Sequence, residues 1–205
     1  LYIFGDQVPQ SPQAYSETQN SMGLSGTTIR NGGIRSLEDL SQLKHLKIVR
    51  ISLQDIVDLS PLAELGALEI VDLSHNPIES VAPLGGLYSL RELGVFESRV
   101  SDFSALASCP LLETIDAGAT RVASLDAFAG ITSLSCLKLR KTTLDTLDGI
   151  DALTGLKRLE LTSVRDRNLA PLLTLPLLES VLLSEDLRAQ AERDLGGATF
   201  QITFS

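Results

Sequence analysis

Tryptophan is absent from the 205 residues, and aromatic side chains make up only 4% of them. A buried core must therefore be assembled from Leu, Ile and Val, which are abundant in a chain that is 43% hydrophobic. No run of 18 apolar residues occurs, so no transmembrane helix is encoded and direct membrane insertion is not expected. Basic residues are outnumbered, 17 Lys and Arg against 26 Asp and Glu, for a net charge of −9. That balance argues against nucleic acid, whose phosphates call for a basic face, and against an anionic membrane surface. Histidine is nearly missing, with His45 and His75 alone, and the chain holds no HExxH, GxSxG, CxxC or Gly-rich phosphate loop. Without a base, nucleophile or ligand cluster in evidence, neither catalysis nor any cofactor or metal is expected.

What the chain does have is a period. Taking Leu46 as position 1 of residues 46–65, apolar side chains fall at positions 1, 4, 6, 11, 14, 17 and 20. Unit starts recur at Leu24, Leu46, Leu68, Leu90, Leu112, Leu134, Leu156 and Leu178, each 22 residues after the last. Fixed self-similarity of this length signals a solenoid, in which each unit buries its apolar face against its neighbours. Positions 4 and 6 alternate with 3, 5 and 7, the period of a strand with one buried face. Because every strand returns in the same sense after a crossover, the strands stack as one parallel sheet. Positions 14, 17 and 20 recur every three residues, which suits short 3₁₀ turns rather than α-helices. Ser60 before Pro61 is read as an N-cap followed by Pro at the first helical position.

The segment LEIVDLSHNPIESVAPL, residues 68–84, resembles the core of a leucine-rich repeat. The 22-residue length and the DLSPL of residues 58–62 are similar to the short-repeat, internalin-like subclass found in bacterial proteins. The resemblance implies an α/β leucine-rich-repeat solenoid: a curved parallel sheet on the concave face and short 3₁₀ turns on the convex one. It departs from the family at position 9, where the usual Asn is Gly32, Gln54, Asn76, Ser98, Thr120, Thr142, Val164 and Asp186. The resemblance leaves the compartment open between a bacterial cell surface and the cytoplasm.

We read residues 1–205 as a single repeat domain, excised from a larger protein. Residues 1–23 form a strand and a loop insertion, 24–177 seven 22-residue repeats, and 178–205 a last strand and C-terminal cap. In residues 1–8, Leu1, Ile3 and Val8 match positions 4, 6 and 11 of a unit, half a repeat; residues 9–23 are polar and punctuated by Pro. At the far end Leu187, Ala191 and Leu195 lie on one face of an α-helix, Gly196 and Gly197 stop it, and Phe200, Ile202 and Phe204 alternate on a strand able to cover the last layer. Eight or nine parallel strands are expected from Leu1 to Leu183. Cys109 takes a core position and Cys136 an outward one, so both are expected as free thiols.

Function must then reside on the open face of the sheet. Ile48 and Ile70 occupy position 3 of adjacent strands, with Leu53 and His75 at position 8 and Phe96 at position 7, an apolar group on a face that should meet solvent. It is either a contact site or a surface covered by residues 9–23. Farther along, Lys138, Arg140, Lys141, Lys157 and Arg158 gather on an otherwise acidic chain. In column 5, Arg50 is expected beside Asp72, and Lys138 is expected to pair with Asp116 and Glu160. The expected function is non-catalytic recognition of a protein partner by a monomeric module, with Ile48, Leu53, Ile70, His75, Phe96, Lys138, Arg140 and Arg158 at the contact. A structural spacer, or a regulatory or substrate-recruiting segment of an enzyme whose catalytic domain lies elsewhere, are the alternatives.

Overall fold

The computed structural model describes residues 2–4, 29–30 and 33–205, with side chains from residue 33 onward. Ten strands in this part form one parallel sheet: β1 (Tyr2–Phe4), β2 (Ile29–Arg30), β3 (Ile48–Ser52), β4 (Ile70–Asp72), β5 (Glu92–Gly94), β6 (Thr114–Asp116), β7 (Cys136–Leu144), β8 (Arg158–Val164), β9 (Ser180–Leu183) and β10 (Gln201–Phe204). From β3 to β9 each strand pairs with the next in chain order, for example Val49 opposite Val71 and Val71 opposite Leu93, in the expected register of 22 residues. The solenoid is thus that of a leucine-rich repeat.

The opposite side is built from 3₁₀ turns of three to five residues, among them Ser60–Leu62, Ala82–Gly86, Ile150–Ala152 and Ala170–Thr174. Their amides bond three residues back, as Leu62 N to Leu59 O at 2.9 Å and Leu84 N to Val81 O at 2.9 Å. Apolar residues at a spacing of three suit this geometry, because side chains at i and i+3 eclipse. Each period then adds one aliphatic layer: Val49, Ile51, Ile56, Leu59, Leu62 and Leu65 are all no more than 1% exposed. Two aromatic rings enter the stack, Phe103 and Phe128, with centroids 4.9 Å apart and planes inclined by 26°.

Ser60 is not the cap. Asp58, two residues earlier, accepts from Ser60 N at 2.8 Å, and every described unit repeats the device at position 13. Ser36, Ser80, Asp102, Ser124, Thr146 and Asn168 each accept from the amide two residues on. Position 13 is a column of small polar acceptors because the adjoining turn leaves that amide without a partner.

At position 9 the family's Asn is replaced without leaving buried polar side-chain atoms unpartnered among the described residues. Asn76, 1% exposed, donates from Nδ2 to the carbonyls of Ile51, Leu73 and Ser74, and its Oδ1 accepts from Ile56 N. Gln54 accepts from Ile34 N and donates to Ser52 O. Thr120 and Thr142 both donate to Ala117 O, at 2.7 and 3.3 Å. Val164 has nothing to donate, and there backbone pairing takes over: β7 and β8 run on past a register shift to pair Thr143 with Ser163 and Leu144 with Val164.

The ends depart from simple repetition. Ile3 stands opposite both Ile29 and Ile51, so β1 keeps position 6 of a unit, as its sequence implied, but sits between β2 and β3 instead of outside them. The loop assigned to 9–23 lies outside the described residues. At the other end Glu185–Leu187 forms a 3₁₀ turn that leads into α1 (Arg188–Asp194), and Leu187, Ala191 and Leu195 are each 3% exposed. Rather than lying over the last layer, β10 joins the sheet beside β9 as a tenth strand, Ile202 opposite Val181 and Phe204 opposite Leu183. Its apolar side chains are therefore only half-buried. Both cysteines are free and buried, Cys136 included, against its expected outward exposure.

A shallow depression on the concave face

In the units of β3 to β7 the chain passes through a left-handed residue at position 8. Leu53, His75, Glu97, Ala119 and Lys141 have φ of 59°, 60°, 57°, 51° and 57°. This conformation turns the amide toward the next unit: His75 N bonds Phe96 O at 2.7 Å, Glu97 N bonds Gly118 O at 2.9 Å, and Ala119 N bonds Arg140 O at 2.7 Å. Left-handed backbone costs a non-Gly residue about 1–2 kcal/mol. Since five units repeat it, the strain belongs to the repeat and does not single out Leu53 or His75.

Phe96 is the hub of the side-chain contacts on this face. Its ring lies over Gly118 of the next unit, where an added Cβ would stand 2.7 Å from Cδ2 of the ring and 2.7 Å from Arg140 O. His75 meets it edge-on at 5.3 Å, and its Nδ1 is 2.8 Å from Glu97 Oε2. The Arg140 guanidinium and the Lys141 ammonium lie 5.8 and 5.6 Å from the ring centroid. Phe96 is thus a half-buried ring held flat by its neighbours. Gly118 and Glu97 were not singled out in the sequence; the absence of a side chain at an outward position beside an outward Phe was the available signal.

Arg140, not Lys138, makes the ion pairs with Asp116 and Glu160 on this face. Its guanidinium is 3.3 Å from Asp116 Oδ2 and 3.0 Å from Glu160 Oε2, carboxylates only 20% and 24% exposed. The longer arm at position 7 reaches back over both neighbouring strands, whereas Lys138 makes no ion pair among the described residues. Asp72 is held by Ser74, whose hydroxyl and amide donate to Oδ1 at 2.6 and 3.1 Å.

Ile70, His75, Phe96, Lys138 and Arg140 line one shallow depression, floored by Gly94 and Thr114. Ile48 stands in register with Ile70 one strand away. Leu53 lies beside His75 on the adjoining rim. Arg158, exposed on β8, is outside the depression, and Lys157 is turned to Glu179 at 3.4 Å on the strand-entry edge. That edge carries a ladder of alternating charge at position 2, with Lys47 to Glu69 at 2.7 Å and Arg91 to Glu113 at 2.9 Å. Among the described residues no group of three or more His, Cys, Asp or Glu could hold a metal ion. The Cys109 thiol, pushed up by burial, donates to Leu84 O at 3.3 Å in the core, remote from this face.

No family model matches the chain, and no curated protein does. Solved structures do. An internalin C2 from Listeria monocytogenes superposes with a TM-score of 0.70 at 22% identity, covering 84% of this chain and 77% of that one. An internalin F from the same organism gives 0.64 at 20% identity, over 84% of this chain and 59% of that one. A leucine-rich-repeat protein of Leptospira interrogans gives 0.60 at 18%, over 94% of this chain and 45% of that one. The chain therefore spans about half the length of the latter two. At these identities the likeness establishes the fold, an internalin-like leucine-rich-repeat solenoid of a kind found in bacterial proteins.

Proposed function

We propose that the chain is a non-catalytic module that recognises a protein partner on its concave face, as a monomer and without a cofactor. One observation carries this reading: the depression gathers Ile70, Phe96 and His75 at a solvent-facing sheet surface where the repeat itself demands only polar residues. Semi-exposed apolar side chains contiguous on an open face mark contact sites, and aromatic anchors contribute about 2 kcal/mol or more each when a partner desolvates them. The internalin-like fold supports the reading by presenting a continuous surface across its stacked strands.

The test is affinity capture on immobilised wild-type chain and on an Ile70→Ala, Phe96→Ala variant, with melting temperatures measured for both. We expect a protein captured by the wild type to be lost from a variant that remains folded. Equal capture by the two would place the contact elsewhere, and no specific capture at all would favour a spacer.

A further inference from the structure

The concave face is electrically divided. Counting the outward positions 3, 5, 7 and 8, the units of β3 to β5 carry Arg50, Asp72, Glu92 and Glu97, a net charge of −2 with His75 neutral. The units of β6 to β8 carry Asp116, Glu160, Lys138, Arg140, Lys141 and Arg158, a net charge of +2 on a chain whose total is −9. Of the two halves only the negative one holds large apolar side chains, Ile48, Leu53, Ile70 and Phe96, while Leu182 lies beyond both on β9. The positive half holds none.

Among the described residues this division is only partly neutralised. Arg140 bridges Asp116 and Glu160, but Glu92, Lys138 and Arg158 make no ion pair among the described residues, whereas Arg91 and Lys157, one residue before Glu92 and Arg158, pair with Glu113 and Glu179 of the next unit. Glu92 and Arg158, both at position 3, stand three strands apart in the sheet, about 14 Å at 4.8 Å per strand. This exceeds the Debye length of about 8 Å at physiological salt, so these two charges act on separate parts of whatever is bound, while Arg140 and Lys141 lean toward Phe96 between them.

We propose, on the footing of the recognition function, that the partner is a dipolar segment of a protein laid across the strands, its apolar and basic part over β3 to β5 and its acidic part over β6 to β8. The depression is floored by Gly94 and Thr114 where the two halves meet, which leaves room for its backbone. A span of about 14 Å corresponds to about four residues of extended chain at 3.3 Å each, or about nine residues of helix at 1.5 Å each.

The test uses residues 1–205 as immobilised bait and a phage-displayed library of random peptides of about 16 residues, long enough for either backbone form. Enriched peptides should join Lys or Arg to an apolar residue in one half and carry Asp or Glu in the other. Synthetic copies should lose about ten-fold or more in affinity to a Glu92→Lys variant and to a Lys138→Glu, Arg158→Glu variant, and a charge-reversed peptide should recover it. Enriched peptides without charge order, bound equally by both reversed variants but lost with the Ile70→Ala, Phe96→Ala change, would overturn the dipolar reading and leave recognition standing. Peptides indifferent to that change as well would overturn both. Enrichment of no sequence above background would overturn the dipolar reading.

Discussion

At the scale of single residues, two positions separate what packs from what merely fills a column. Asn76 satisfies one amide and three carbonyls from two units. Asn76→Ala strands the Ile56 amide and the Ile51 and Leu73 carbonyls out of water, and because unsatisfied buried groups cost about 1–3 kcal/mol each, partly relieved by relaxation, the loss should be about 2–4 kcal/mol in a urea titration. A loss below about 1 kcal/mol would mean that water replaces the amide. Gly118 works by absence. In Gly118→Ala the new methyl meets both the Phe96 ring and Arg140 O at 2.7 Å, and the backbone carbonyl cannot move aside as a flexible side chain would. Overpacking of this kind typically costs about 1–3 kcal/mol. The aromatic resonances of Phe96 and His75 should shift together, and unchanged spectra would show that the ring does not lie on Gly118.

At the scale of elements, the 3₁₀ turns owe their entry to the position-13 acceptors, and two of these ionise. Asp58 is held below the usual carboxylate range by the Ser60 hydroxyl and then the Ser60 amide, and Asp102 by the Ser104 amide and then its hydroxyl. A folded-state value below the unfolded value of about 3.9 gives a contribution fully present above that pH, and lost as pH falls through the folded value. An Asp58→Asn, Asp102→Asn variant keeps an acceptor but removes the ionisation. Its melting temperature should match the wild type near neutral pH and fall less steeply below about pH 4; parallel acid limbs would show that these carboxylates do not couple to folding. Asp194, lowered by Gln190 and by the Leu169 amide, retains its share of the acid slope in both proteins.

For the molecule as a whole, stability is a sum of layers, each resting on the next. The C-terminal end closes the stack with α1 and β10, and β10 is itself a four-residue edge whose Phe204 is covered by the Arg188 guanidinium at 4.0 Å. A short, charge-guarded edge resists further pairing. Removing residues 188–205 takes away buried Ala191 and Leu195 and half-buried Phe200, Ile202 and Phe204, and opens β9. Full burial of one large apolar side chain contributes about 1.5–3 kcal/mol, and half-burial less. The truncated chain should therefore melt well below the intact one and self-associate by size-exclusion chromatography. A monomer with an unchanged melting temperature would place the closing function elsewhere.

The sequence by itself determined the period, the buried positions 4, 6, 11, 14, 17 and 20, the parallel sheet, the 3₁₀ side and the helix of the cap. Each derives from apolar spacing, and burial of apolar surface is the dominant force that sets which face turns inward. It also brought Ile70, Phe96 and Lys138 to one face, because a strand alternates strictly and a register of 22 residues stacks like positions. Asp58 rather than Ser60 caps its turn because the acceptor must stand two residues before the amide, a local geometry that apolar spacing does not report. What only the tertiary structure decided are the contacts between units whose partners are far apart in sequence. Arg140 rather than Lys138 bridges Asp116 and Glu160 because reach and direction, not column, select the partner. Phe96 lies down because Gly118, 22 residues after it, leaves the space. The place of β1 between β2 and β3, and of β10 beside β9, was likewise settled by backbone pairing, for which an edge strand offers donors and acceptors with no sequence signature of their own.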